Sequence, residues 1–304
     1  MSFLLAFLCI AAVAPFIREA MRRRMGALAR KSAPGKFVQL SQGLTHYCWL
    51  GASEGPVVVC VHGLTTPSFV WNSIAKGLGE MGFRVLVYDL YGRGYSDRVR
   101  GIQDSGFFNT QLLDLMESQD LNKDITLLGY SMGGAIVPAF AAHHPEKLRQ
   151  TVLVAPGGLG HDLGPMSRLM ANLGILGTWA ALAVYGRSMR KAYEAERDLK
   201  SSIPDVIDKQ LAELRYAGFM PAVLSSLRGI MDEPLSDEHR AVAKSGLPVL
   251  AIWGEVDDII PLACKDELLG LNPSAKNIVI DGAGHSLAYT DDVTVLQALK
   301  DNLI

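Results

Sequence analysis

Short apolar runs alternate with stretches of helical spacing from Lys36 onwards. The runs have the length of strands and lack polar alternation, which is typical of strands buried on both faces of a parallel sheet. They are Val57 to Val61, Val85 to Tyr88, Ile125 to Leu128, Thr151 to Val154, Val249 to Trp253 and Asn277 to Ile280. Between them, helices are predicted at Val70 to Met81, Phe107 to Gln119 and Ala135 to His143. The pattern predicts an α/β fold with a doubly wound, mostly parallel sheet.

Two further features complete the predicted architecture. Phe37 to Leu40 and Thr45 to Leu50 resemble a hairpin at the sheet edge. Between Gly157 and Gly246 the strand pattern stops and helical spacing takes over. The sequence therefore predicts a core at 36–157 and 245–304, with a helical cap at 158–244 inserted between two core strands.

The N-terminal segment, 1–35, has a different character. Phe3 to Ile17 is apolar, interrupted only by Pro15, and basic residues follow it at Arg18, Arg22, Arg23, Arg24, Arg30 and Lys31. A secretory signal carries its positive charge before the apolar run. The run predicts a membrane anchor, with the rest of the chain on the cytoplasmic side. A cleaved signal, giving a secreted or periplasmic protein, and a helix packed on the protein are the alternatives.

Charge and cysteine spacing exclude several classes of protein. A net charge of −2 does not indicate a polyanion partner such as nucleic acid. Cys9, Cys48, Cys60 and Cys264 form no C-x-x-C pair and no zinc-like spacing with histidine. We therefore predict no metal site, and the absence of a disulfide framework favours a reducing compartment.

A nucleophile is predicted at Ser131. The residues from Gly129 to Gly133 read G-x-S-x-G, preceded by a predicted strand and followed by a predicted helix. In that setting the motif forms a sharp turn that exposes the serine at the end of the strand. A serine hydroxyl needs a base within hydrogen-bonding distance before it becomes a good nucleophile.

The base and its supporting acid are predicted from two other strand ends. His285 lies in a glycine-rich stretch directly after the last core strand, and Asp257 follows the strand that ends at Trp253. The order Ser131, Asp257, His285 is the one expected for a nucleophile on such a turn. Asp258 is the adjacent rival for the acid, and Asp162 a more remote one.

Charge that develops on a substrate oxygen requires N–H donors. The amide of Met132 should supply one, and the amide of Leu64, in the turn after Val57 to Val61, a second. His62 should hold this turn through its side chain. The glycine-rich run from Tyr88 to Asp97 matches no nucleotide-binding pattern, so we interpret it as structural and predict no cofactor.

Substrate contacts are predicted at Gly63 and in the cap. The segment from Met166 to Tyr185 has apolar side chains at helical spacing, among them Leu176 and Trp179. We predict that these two residues contact an acyl or aromatic part of a substrate, although such stripes also occur where a lid packs.

With these residues the sequence resembles the α/β-hydrolase superfamily across nearly all of Lys36 to Ile304. The motifs that carry the resemblance are His62-Gly63, the D-x-x-G-R-G-x-S run from Asp89 to Ser96, the G-Y-S-M-G-G run from Gly129, Gly254 to Pro261, and Gly282 to Ser286. A serine at 131 argues against epoxide hydrolases and haloalkane dehalogenases, whose nucleophile is aspartate. The apolar N-terminus and the S-M-G-G turn resemble monoacylglycerol lipase and carboxylesterase-type members with an N-terminal anchor.

The resemblance implies a serine hydrolase that cleaves carboxylic esters of small molecules through an acyl-enzyme on Ser131. The run from Ala155 to Gly160 is also similar to that of hydrolases that cleave carbon–carbon bonds in ring-fission products. Those enzymes usually carry a longer glycine-rich turn where this chain has His62 to Pro67. A ligand-binding member that kept the three residues without catalysis is the alternative from another class.

Overall fold

Eight strands form one sheet in a computed structural model of the chain, which describes residues 2–160 and 164–304. The strands are β1 Lys36–Gln39, β2 Leu44–Gly51, β3 Val57–Val61, β4 Arg84–Tyr88, β5 Ile125–Tyr130, β6 Leu148–Val154, β7 Val249–Gly254 and β8 Lys276–Ile280. Their order across the sheet is β1-β2-β4-β3-β5-β6-β7-β8. In this described sheet the pairings of β2 with β1 and with β4 are antiparallel and all others are parallel. The prediction of a mostly parallel sheet with an edge hairpin is therefore confirmed.

Helices cover both faces of this sheet. They are α1 Ser2–Ala20, α2 Ala27–Arg30, α3 Asn72–Glu80, α4 Ser105–Ser118, α5 Gly133–His143, α6 Pro165–Asn172, α7 Gly174–Ala180, α8 Gly186–Ala195, α9 Val206–Glu213, α10 Phe219–Arg228, α11 Ser236–Ser245, α12 Cys264–Leu271, α13 Leu287–Thr290 and α14 Asp292–Lys300. A 3₁₀ turn, Ser68–Trp71, precedes α3, and a π-helical turn, Ala181–Tyr185, joins α7 to α8.

The apolar run of β3 explains why the sheet is buried on both sides. Val57, Val59 and Val61 belong to one hydrophobic cluster, which includes residues of α4, α5 and α12. Val58 and Cys60 belong to a second, with residues of α3 and α14. Successive strand residues point to opposite faces, so each face needs its own apolar side chains.

The segment between β6 and β7 contains helices α6 to α11. Residues 161–163 of the predicted cap lie outside the described residues. Helix α11 packs against α5 and α12 of the core, whereas α7, the π-helical turn and α10 contact one another or α6. The division of the chain into a core and a cap at 158–244 stays a prediction.

Helix α1 is longer than the predicted apolar run, because it continues through Arg18 and Glu19 to Ala20. It contacts α7 and the π-helical turn. Among the described helices it is the one long and apolar enough to cross a membrane.

Candidate active site

Ser131 occupies a sharp turn between β5 and α5. Its φ of 54° lies in the left-handed region, which is costly for a residue with a side chain. The turn is fixed by the Ser131 amide, which donates to the Val154 carbonyl over 3.0 Å. The close approach of the chain requires glycine on either side: a Cβ on Gly129 would lie 2.3 Å from the Gly133 carbonyl oxygen, and one on Gly133 2.1 Å from that of Val61.

His285 bridges the serine and a carboxylate. Its Nε2 lies 3.0 Å from Ser131 Oγ, and its Nδ1 lies 2.8 Å from Asp257 Oδ2. Because Nδ1 faces a carboxylate, it carries the ring proton, which leaves Nε2 to accept the proton of the serine hydroxyl. The Tyr130 hydroxyl donates to the His285 carbonyl over 2.9 Å and holds the loop after β8 against β5.

The structure brings Asp257, and not its neighbour, to the histidine. Asp257 Oδ1 accepts the amides of Ile259 and Ile260 at 2.9 and 2.7 Å, so both carboxylate oxygens have partners. Its side chain is buried, whereas Asp258 is exposed. The other rival acid of the sequence analysis, Asp162, lies outside the described residues.

The turn after β3 is held by His62. Its Nδ1 donates to the Gly63 carbonyl over 2.8 Å, and its Nε2 accepts the Leu90 amide over 2.9 Å. Burial lowers the pKa of His62 to about 4, so the ring stays neutral and keeps one donor and one acceptor. A trans peptide directs its N–H away from its carbonyl. Fixing the Gly63 carbonyl therefore also fixes the direction of the Leu64 N–H.

The two predicted amide donors flank the serine. Met132 is buried and directly precedes α5, so its N–H lies at the positive end of the helix. On the other side, a Cβ on Gly63 would lie 3.2 Å from Ser131 Cβ, which puts the turn with Leu64 against the serine. Leu64 is held a second time, because Arg93 Nε donates to its carbonyl over 3.0 Å.

The glycine-rich run after β4 makes its contacts within the protein. Asp89 accepts the amides of Ser68 and Tyr95 and pairs with His46 Nδ1 at 2.7 Å. Burial alone raises the pKa of Asp89, but the hydrogen bonds and charges around it, those of His46 foremost, together lower it to about 2. Burial in turn lowers the pKa of His46, and its hydrogen bonds and the charge of Asp89 raise it to about 10. The pair is therefore ionised and ties β2 to β4.

Sequence reasoning missed a contact between the cap segment and the histidine loop. Ser286, the residue after His285, donates to Glu196 Oε2 over 2.9 Å. The Tyr289 hydroxyl lies 3.3 Å from the same oxygen and 2.8 Å from Ser286 Oγ. Ser286 belongs to a recognisable motif, but its partner is distant in sequence and no spacing indicates it.

Leu176 and Trp179, the predicted substrate contacts of the cap, lie towards solvent and α1. The Leu176 side chain is 68% exposed. Trp179 Nε1 donates to the Ala11 carbonyl of α1 over 3.1 Å. Their described contacts connect them with solvent and α1 rather than with Ser131, and their role in substrate binding stays a prediction, as does that of Gly63.

A cavity of about 840 Å³ lies apart from the Ser131 site, between the N-terminal segment, β2, α3 and α9. Its lining includes apolar side chains and ionisable ones, among them His46, Asp89 and Glu213. Ser131, Asp257 and His285 do not line it. Within residues 2–160 and 164–304, no group of three or more His, Cys, Asp or Glu side chains is arranged to hold a metal ion.

Known proteins share this sequence and this fold. The family profile of the alpha/beta hydrolase fold matches residues 56–292. An uncharacterized protein of Mycobacterium tuberculosis is 26% identical over 261 residues, which cover 82% of this chain and 75% of that protein. The 2-hydroxy-6-oxo-6-phenylhexa-2,4-dienoate hydrolase of Burkholderia cepacia is 26% identical over 268 residues, covering 84% of this chain and 91% of that enzyme.

Among solved structures, the enol-lactonase from Burkholderia xenovorans LB400 superposes with a TM-score of 0.73 at 20% identity, covering 88% of this chain and 98% of that one. At this identity the likeness shows a shared fold. Because the family profile spans most of the chain and includes Ser131, Asp257 and His285, the chain belongs to the α/β hydrolase fold family and is a hydrolase.

Proposed function

We propose that this hydrolase cleaves carboxylic esters through a covalent acyl-enzyme on Ser131. The observation that carries the proposal is the continuous contact from Ser131 Oγ through His285 to Asp257, at 3.0 and 2.8 Å. A hydroxyl with its base and its orienting acid in line is the arrangement that nucleophilic acyl transfer requires.

The proposed reaction has two halves. Ser131 Oγ attacks the ester carbonyl while His285 Nε2 takes its proton, and His285 then gives that proton to the departing alcohol. Water, deprotonated by the same nitrogen, attacks the acyl carbon. The bond from that carbon to Ser131 Oγ then breaks, His285 Nε2 returns the proton to Oγ, and the acid is released. The amides of Met132 and Leu64 would receive the negative charge on the carbonyl oxygen in both halves.

A second candidate is hydrolysis of a carbon–carbon bond beside a carbonyl. The similarity to the Burkholderia cepacia hydrolase favours it, because that relative is covered over 91% of its length. The run from Ala155 to Gly160 supports it as well, since Gly157 donates to the Ser131 carbonyl over 2.9 Å and so belongs to the surroundings of the nucleophile. Lactones are cyclic esters and fall within the first proposal.

Turnover of p-nitrophenyl esters and of a 2-hydroxy-6-oxo-dienoate separates the two candidates. We expect the esters to be hydrolysed and Ser131→Ala to abolish both their turnover and labelling by a fluorophosphonate, with the thermal unfolding midpoint unchanged. If the dienoate were turned over far faster than every ester, the second candidate would replace the first. Labelling of Ser131→Ala at the rate of the unchanged protein would contradict the assigned nucleophile.

We also propose that α1 attaches the protein to a membrane, with the hydrolase on the cytoplasmic side. The length of α1, its apolar composition and the basic residues after it support attachment. Sedimentation of the full chain with lipid vesicles at high salt would test it, and recovery of the chain in the supernatant would contradict it.

A further inference from the structure

Helix α1 is hydrogen-bonded to the cap at the point where Pro15 interrupts the hydrogen bonds of the helix. A proline has no N–H, so the carbonyl four residues earlier, that of Ala11, loses its intrahelical donor. Trp179 Nε1 donates to this carbonyl over 3.1 Å, and Pro15 itself is buried. An unpaired carbonyl away from water costs free energy, so this bond stabilises the docked position of α1.

The C-terminal end of α1 is fastened as well. Glu19 Oε1 accepts the Gly218 amide over 2.7 Å, and Arg22 Nη1 donates to the Leu214 carbonyl over 2.7 Å. Arg22 and Glu19 also pair with each other at 3.1 Å. Helix α1 is therefore fixed to the rest of the protein from Ala11 to its end, and only its first half is free.

The free half is too short to cross a bilayer. Ser2 to Ile10 rises about 13 Å as a helix, at about 1.5 Å per residue, whereas a hydrocarbon core is about 30 Å thick. Inserting Ala11 to Ala20 as well would carry α7 and the π-helical turn into the hydrocarbon, because these elements contact α1. A docked α1 therefore reaches into one leaflet only.

The part of the cap beside α1 presents exposed apolar side chains. We call these residues the apolar cap face: Met166, Leu169, Leu173, Ile175, Leu176 and Val184. Leu173 joins α6 to α7, and the other residues lie on α6, α7 and the π-helical turn. Both α7 and the π-helical turn contact α1. An exposed apolar patch of this kind marks an interaction surface. Through these contacts the apolar cap face lies beside α1, whose first half is also apolar and exposed, and this points to lipid as the partner.

Positive charge borders this apolar surface. Arg23 and Arg24, directly after α1, are exposed, as are Arg187, Arg190 and Lys191 of α8. The two groups are neighbours, because Gly186 at the start of α8 approaches the Arg22 guanidinium. Basic side chains beside an apolar surface are positioned to meet anionic lipid headgroups.

We propose that the protein is monotopic: the first half of α1 enters one leaflet, and the apolar cap face rests on that same leaflet. This proposal rests on the membrane attachment proposed above and specifies its geometry. It makes the cap, rather than a flexible tether, the part that faces the lipid. An ester that partitions into the bilayer would then reach the enzyme from the side of the cap.

The position of Trp179 supplies the first test. Full chain is added to vesicles of phosphatidylcholine and phosphatidylglycerol with brominated acyl chains, which quench nearby tryptophan fluorescence. Trp71 and Trp253 are buried, and the half-buried Trp49 on β2 donates to the Gln119 side chain just after α4. We therefore expect most of the quenching to arise from Trp179 and to be lost in Trp179→Phe. A chain that pellets with vesicles but is not quenched would overturn the monotopic geometry while leaving membrane attachment intact. A chain that does not pellet would contradict attachment itself.

The second test changes the apolar cap face. In Leu169→Ser/Leu173→Ser/Ile175→Ser we expect turnover of a long-chain ester carried in vesicles to fall about tenfold, because apolar area is lost from the lipid contact. Turnover of water-soluble p-nitrophenyl acetate should not change. The single variant Ile175→Ser is compared with Val293→Ser as its matched control, because Val293 on α14 and Ile175 are each 75% exposed. Equal effects of both variants on the vesicle-borne ester would overturn the proposal.

Two further outcomes would also overturn it. A tag before Met1 that sealed vesicles protect from protease, while the hydrolase outside is cleaved, would show that α1 spans the bilayer. A dimer of the full chain that the cap variant dissociates, together with no quenching by brominated lipid, would assign the apolar cap face to a second copy of the chain.

Discussion

Asp257 and Asp258 are adjacent in sequence but differ in every physical respect that matters for the proposed reaction. Asp257 is buried and bonded to His285 and two backbone amides, whereas Asp258 is exposed. We expect Asp257→Asn to lower kcat by roughly 10³–10⁴-fold, because the amide no longer stabilises the required ring tautomer and the imidazolium. Asp258→Asn should change kcat less than about twofold. Steady-state turnover of one ester by both variants checks this, and equal small losses would transfer the role to another acid.

The buried pair of His46 and Asp89 makes the free energy of unfolding depend on pH. The pKa of Asp89 is lowered from 3.8 to about 2, so its contribution to stability is present above pH 3.8 and is lost as pH falls through about 2. The pKa of His46 is raised from 6.5 to about 10, so its contribution is full below pH 6.5 and is lost as pH rises through about 10.

We therefore expect the free energy of unfolding to fall between pH 6.5 and 10, by an amount on the order of 2 kcal/mol from this pair. Urea unfolding at pH 6 and pH 9 measures the fall. In His46→Gln the fall should shrink, although the variant is less stable at pH 6. The same slope in both proteins would mean that other groups cause it.

The position of a single residue could be predicted from the sequence when a short motif around it indicated that position. Ser131 and His285 were predictable because each follows a buried strand in a short motif, and parallel strands end at one edge of the sheet. Trp179 was not, because its partner is a carbonyl that Pro15 frees on a helix more than 150 residues away. Apolar spacing describes that tryptophan equally well as a substrate contact or as a packing residue.

At the scale of elements, the buried strands were the most predictable part of the fold. Runs such as Val57 to Val61 must be apolar throughout because both faces of the sheet are covered, so composition alone marks them. Strand ends were less predictable: β5 continues through Gly129 and Tyr130, which pair with β6 although they belong to the serine motif. The number of helices between β6 and β7, and the packing of α11 on α5, depend on tertiary contacts that no local pattern carries.

The cap segment and the histidine loop are joined through Glu196, and this contact makes a prediction about the two elements. Glu196 Oε2 accepts from Ser286 and lies 3.3 Å from the Tyr289 hydroxyl, so it holds the loop that carries His285. We expect Glu196→Ala to lower kcat by about tenfold. A displaced His285 slows proton transfer in the chemical step, whereas it makes little difference to how tightly the substrate binds. KM and the unfolding midpoint should change little.

Glu196→Gln is the conservative comparison, because its amide oxygen can still accept the Ser286 hydroxyl. It should recover most of the lost kcat. If both variants kept the original kcat, the contact would join the cap segment to the core without positioning the histidine.

At the scale of the whole molecule, the N-terminal segment belongs to the folded structure as well as to the proposed membrane contact. Arg30 donates to the Tyr95 carbonyl over 2.8 Å and pairs with Asp97 at 2.5 Å. The Pro34 carbonyl is bonded to Nε2 of the buried His46. Residues 11–35 thus connect the cap, the loop after β4 and the sheet edge, whereas residues 2–10 contribute exposed apolar surface.

Two shortened chains separate these roles. A chain beginning at Ala11 keeps the Trp179, Glu19 and Arg30 contacts and loses only the exposed half of α1, so we expect it to be soluble, active and unchanged in its unfolding midpoint. A chain beginning at Lys36 loses all of these bonds and leaves His46 Nε2 without its partner. At about 1 kcal/mol for each bond, its free energy of unfolding should fall by roughly 3 kcal/mol and its midpoint by roughly 5 °C. Calorimetry and p-nitrophenyl acetate turnover of both chains measure the difference, and equal midpoints would mean that residues 11–35 do not stabilise the fold.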